Sequence, residues 1–110
     1  MKYLVTMEMG KQTIPAEPDK LEQHVKRVIQ QHEAEAELER DGRILAGGSA
    51  TGQTTDVFIA DVNSHRELND LIRNLPLPHM MVVNVVPLTD FADAAAVERN
   101  NLARFGDFAG

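Results

Sequence analysis

The chain has 110 residues, 43% of them apolar and 25% charged, the composition of one soluble globular domain and not of a disordered tail. Seventeen acidic residues against eleven basic ones leave a formal charge of −6, which argues against nucleic acid or anionic membrane as a partner. With no cysteine, disulfide scaffolds, thiol nucleophiles and sulfur-ligated zinc modules are all excluded.

No apolar run approaches the roughly 20 residues that span a bilayer, and Glu8 interrupts the opening segment too early for a signal peptide. A cytoplasmic domain is expected. Residues 2–9 alternate, with Tyr3, Val5, Met7 and Met9 on one side and Leu4 and Thr6 on the other, and predict a strand. A proline-containing loop follows. Pro18 suits the first turn of a helix, and Asp19 and Glu22 complement its dipole.

The helix predicted from there to Arg40 carries Leu21, Val25, Val28, His32 and Ala36 on one stripe, widened by Ile29. Glu33, Glu35, Glu37 and Glu39 read as its solvated face. Asp41-Gly42 ends it, because glycine adopts the left-handed conformation without steric cost. Arg43–Ala50 and Asp56–Val62 predict a hairpin. Within it, Gly47-Gly48 predicts a bulge or a close backbone approach, and lacks the spacing of a phosphate loop.

Ser64 with Glu67 forms a capping box for a second helix, whose apolar face is Leu68, Leu71, Ile72 and Leu75. Pro76 and Pro78 stop it, Met80–Leu88 predicts a fourth strand, and a short helix is expected around 92–103. The order β-α-β-β-α-β is the split-βαβ plan of ferredoxin-like domains: an α+β fold with a four-stranded antiparallel sheet and two helices on one face. The domain is expected over residues 1–90, with 91–110 as an extension contacting a neighbouring subunit. In β3 and β4 both faces are apolar, which predicts a homodimer packed sheet against sheet.

Asp41-Gly42-Arg43, the run Phe58-Ile59-Ala60-Asp61-Val62-Asn63-Ser64, and Glu67-Leu68 leading to Leu75-Pro76-Leu77 before a valine-rich strand resemble the muconolactone isomerase family. The correspondence is gapless from Gly42 to about Leu88. The resemblance implies a dimeric α+β barrel, often assembled into a larger ring. It also implies proton transfer on an unsaturated lactone acid, without metal or organic cofactor, in a cavity between sheet and helices. The acid on the family's first helix corresponds here to Gln31, which exchanges no proton, and Ile44–Ser49 lacks the tryptophan and arginine common in the isomerases.

Such chemistry needs a base near neutral pH to carry the proton, and donors to hold the anionic oxygen. His32, on the apolar stripe, is expected to face the cavity as the catalytic base, with the neighbouring Glu33 as the other catalytic candidate; the competing reading of His32 is a core histidine with one hydrogen bond. His24, Gln31, Arg43 and Asn84 are the candidate substrate-binding residues. No His-x-x-x-His pair or three-ligand spacing occurs, so no metal is expected. The methionines, notably Met7, Met9, Met80 and Met81, are expected to fill core or shape an adaptable pocket. Phe105 and Phe108 are candidates for a lid. The predicted function is isomerisation of a small unsaturated lactone, carboxylic acid or aromatic catabolite. The alternatives are a cofactor-independent monooxygenase or cyclase, and a non-catalytic ligand-binding or assembly protein.

Overall fold

The computed structural model describes residues 1–10, 14–77 and 80–109, and the side chains of these up to residue 106. His79 and the side chain of Phe108 lie outside the described residues. The chain forms β1 (Lys2–Met9), α1 (Pro18–Arg40), β2 (Ile44–Ser49), β3 (Thr55–Asp61), α2 (His65–Arg73), β4 (Met81–Leu88) and α3 (Phe91–Ala109). The strands make one antiparallel sheet in the order β2-β3-β1-β4.

The alternation read in β1 decides which face is covered. Tyr3, Val5 and Met7 pair with Ala60, Phe58 and Asp56 on one side and with Pro87, Val85 and Val83 on the other. This face carries the core of Tyr3, Val5, Met7, Phe58 and Ala60, closed by Leu68, Leu71 and Leu75 after and within α2 and by Ala34 and Leu38 of α1. Each fully buried side chain of this size contributes roughly 1.5–3 kcal/mol. At one end the Tyr3 hydroxyl is hydrogen-bonded to His65 Nδ1, which satisfies the polar tip of a side chain that is otherwise buried.

The helix ends follow local chemistry. Gly42, at φ 81°, lets its own N–H reach the Glu39 carbonyl and the Arg43 N–H reach that of Leu38, which closes α1. Ser64 Oγ accepts from the Glu67 N–H, while the Glu67 carboxylate accepts from Asn63, one residue ahead of the cap. The register slips between Ile44 and Ala46, and Gly47 lies directly against β3. A Cβ at Gly47 would meet the Val57 carbonyl oxygen at 2.4 Å and Phe58 Cβ at 2.6 Å.

Two expectations change. The buried line of α1 is His24, Gln31 and the partly buried Val28, Glu35 and Leu38, a face rotated by about one residue from Leu21, Val25, His32 and Ala36. Leu21, Val25 and Ile29 are consequently exposed. The C-terminal helix is also longer than expected, 19 residues, or about 28 Å. It stands out from a molecule whose long axis is 72 Å, with Phe91, Leu102 and Phe105 exposed. Among the described residues, no helix is long and apolar enough to cross a membrane.

Candidate active site

A cavity of about 270 Å³ lies between α1 and one end of the sheet. Met9, Val28, Leu77 and Met81 give it an apolar floor, Leu21 and Val25 its rim, and His24, Gln31, His32 and Asp56 are among its polar groups, with Ser49, Gln53 and Thr54. A second hollow of about 300 Å³, beside β2, is lined by Glu35, Glu39, Gly47 and Phe58. His32 lines both, so the wall between the two hollows is where the titratable groups gather.

That wall is a cluster of three side chains. His32 Nδ1 lies 3.1 Å from Glu35 Oε1 and 3.7 Å from Asp56 Oδ2. The His32 side chain is 46% exposed, whereas those of Glu35 and Asp56 are 14% and 7% exposed. Burial, and then the hydrogen bond and charge of Asp56, push the Glu35 carboxyl up to about 9. Glu35 is therefore protonated at neutral pH and donates to the Asp56 carboxylate. With Nδ1 turned to the two acids, Nε2 of His32 carries no hydrogen bond to the described chain.

The other predicted residues divide between the cavity and the surface. His24 is 8% exposed, lines the cavity, and makes no side-chain hydrogen bond among the described residues. Gln31 is fully buried. Its Oε1 accepts from the Leu77 N–H at 3.0 Å, and its Nε2 faces Met7 Sδ at 4.0 Å, so the amide ties α1 to the segment after α2. Glu33 is exposed and lines neither hollow, because α1 turns it away from the sheet. Arg43 closes the helix with its backbone and leaves its side chain outside both hollows. Asn84 pairs with Thr6 on the opposite face of the sheet, so the sheet itself separates it from the cavity.

Glu35 and Asp56 do not stand among the residues expected from sequence. Asp56 shares the alternation of Phe58, Ala60 and Val62, and a carboxylate in phase with a buried run is a signal for an inward acid. Glu35 stands one turn after His32, and its neighbours Glu33, Glu37 and Glu39 hide it in an acidic run.

The sheet order and the covered face define an α+β domain of ferredoxin-like plan with a polar cluster in its helix–sheet seam. The chain belongs to the muconolactone delta-isomerase family, whose profile matches residues 1–94. Among solved structures, a muconolactone isomerase crystal structure superposes with a TM-score of 0.65 at 23% identity, covering 82% of this chain and 90% of that one. A 5-chloro-2-hydroxyhydroquinone dehydrochlorinase from Burkholderia phenoliruptrix, in complex with 2,5-dihydroxybenzoquinone, superposes with a TM-score of 0.60 at 16% identity, covering 84% of this chain and 98% of that one. At these identities the two structures share the fold with this chain. No curated protein sequence matches it.

Proposed function

We propose that the protein is an enzyme of aromatic-compound catabolism that moves a proton within a small unsaturated lactone or quinone-like carbonyl compound, with His32 as the proton carrier. The observation that carries this reading is the orientation of His32, with Nδ1 held by Glu35 and Asp56 and Nε2 left unbonded at the cavity wall. Membership of an isomerase family supports the reaction class, and the quinone bound by a protein of similar fold supports the substrate class.

Neutral His32 takes a proton at Nε2 from the carbon next to the carbonyl. The electron pair of the broken C–H bond spreads into a dienolate, and the imidazolium, whose half-exposed ring exchanges its proton with solvent, returns a proton to the carbon two positions along or to the carbon it came from. No oxidation occurs and nothing leaves. The imidazolium formed midway lies beside Asp56, with Nδ1 3.7 Å from Asp56 Oδ2. The His24 ring is the candidate donor to the dienolate oxygen, being nearly buried, cavity-facing and without a side-chain hydrogen bond among the described residues. The apolar floor keeps water from the carbanion.

The assembly is part of the same proposal. The outer sheet face presents Val82, Val86 and Leu88 to solvent, and a second copy packed on it would cover them. The α3 arm, with Leu102 and Phe105 uncovered, reaches a neighbouring subunit. The proton-transfer reading is tested with α-angelica lactone, a neutral methyl butenolide whose isomerisation to the conjugated β form is followed by absorbance. Wild-type protein is expected to accelerate it, and His32→Ala to lose about 10²–10⁴ of that rate with unchanged circular dichroism. Equal rates in the two proteins would remove His32 from the chemistry.

A further inference from the structure

We infer that the cavity selects an uncharged carbonyl substrate, and that Asp56 is the group that turns away the corresponding carboxylate. The inference rests on the proton-transfer reading, because it concerns the same cavity. Among the described residues no lysine or arginine side chain lines either hollow. Lys20, Lys26 and Arg40 on α1 are paired with Glu17, Glu22 and Glu37 on its solvent side. A substrate carboxylate entering the cavity thus finds no fixed cation among the described residues.

It does meet fixed negative charge. Asp56 is buried in the cavity wall, with Glu39 in the adjoining hollow and Glu35 neutral beside it. The resting enzyme needs neutral His32 to act as a base, so the wall then carries the Asp56 charge uncompensated. An apolar floor strengthens the repulsion, since charges interact more strongly where the surroundings are less polarisable. The remaining polar groups suit a neutral ligand: the His24 ring, without a hydrogen bond among the described residues, and the uncharged Ser49 and Gln53 side chains can donate to a carbonyl oxygen, and the rim of Leu21 and Val25 fits an apolar ring.

Muconolactone and its methyl ester form the probe pair, alike in shape and different in one negative charge. Dissociation constants are measured by calorimetry at neutral pH for the wild type and for Asp56→Asn. The ester is expected to bind the wild type at least about tenfold more tightly than the acid, since like charges brought together at a site discriminate strongly, and the gap is expected to close in Asp56→Asn. The wild-type comparison decides the matter even if the variant does not fold. Acid binding as tight as ester binding, binding of neither, or an unchanged gap in a folded Asp56→Asn would each overturn the inference. Turnover is a separate readout: an ester that binds tightly and is never isomerised sinks the proton-transfer reading and leaves the charge selection standing.

Discussion

The protonated carboxyl of Glu35 on α1 donates to the carboxylate of Asp56 on β3, so one proton joins helix to sheet at the wall of the cavity. Two acids joined by a hydrogen bond in a partly dry seam cannot both be ionised without cost, and burial keeps Glu35 the neutral one. His32 lies against both, so the state of this pair sets the field at its ring.

The pair makes stability depend on pH in a direction that can be stated. The Glu35 carboxyl is raised from 4.5 to about 9 in the fold, so its favourable contribution is complete below 4.5 and is lost as pH rises through about 9. Glu35→Gln keeps a neutral donor and removes the titration. Melting temperatures measured across this range should show the variant gaining on the wild type as pH rises, by a few degrees at the alkaline end. Parallel curves would mean that Glu35 is ionised throughout.

Gln31 binds the helix to the cavity floor through the Leu77 N–H. Gln31→Leu removes the acceptor and leaves that N–H buried and unpaired, which should cost about 1–3 kcal/mol in urea unfolding. Gln31→Glu retains an acceptor and should cost less near acidic pH, where the carboxyl is protonated. An unchanged unfolding midpoint in Gln31→Leu would show that the amide is not the tie described.

Adjacent glycines in β2 should respond very differently to alanine. A Cβ at Gly47 would meet the β3 backbone, whereas one at Gly48 meets nothing within 4 Å. Gly47→Ala is expected to destabilise the protein by about 2 kcal/mol or more, and Gly48→Ala to have little effect. Thermal melts of the two variants side by side check this.

The proposed assembly separates into two contacts. Val86→Glu places a charge on the outer sheet face and should dissociate the sheet-to-sheet dimer. Leu102→Asp, on the projecting arm, should reduce only the higher assembly. Sedimentation velocity distinguishes the two outcomes, and circular dichroism should report an unaltered fold in both variants, since both side chains are exposed in the single chain.

The fold was largely legible because its signals are local and agree with one another. Alternation in β1, the Asp41-Gly42 stop, the Ser64–Glu67 cap and the paired glycines each specify a feature that the structure contains. The rotation of α1 was not legible. Counting apolar residues selects Leu21, Val25 and Ile29, yet the helix buries His24 and Gln31, whose burial is permitted by a cavity and by a hydrogen bond to a distant backbone group. The site was half legible for the same reason. His32 stands out by its chemistry, while Glu35 and Asp56 become a pair only when β3 is brought under α1.

The central claim is that His32 carries a proton to and from carbon, and hydrogen exchange reads that event directly. α-Angelica lactone is incubated in deuterium oxide with the protein, and label at the carbon beside the carbonyl is followed by proton NMR. Wild-type protein should introduce deuterium well above the buffer rate, and folded His32→Ala should not. Exchange equally fast in the variant, or at the buffer rate in the wild type, would contradict the account.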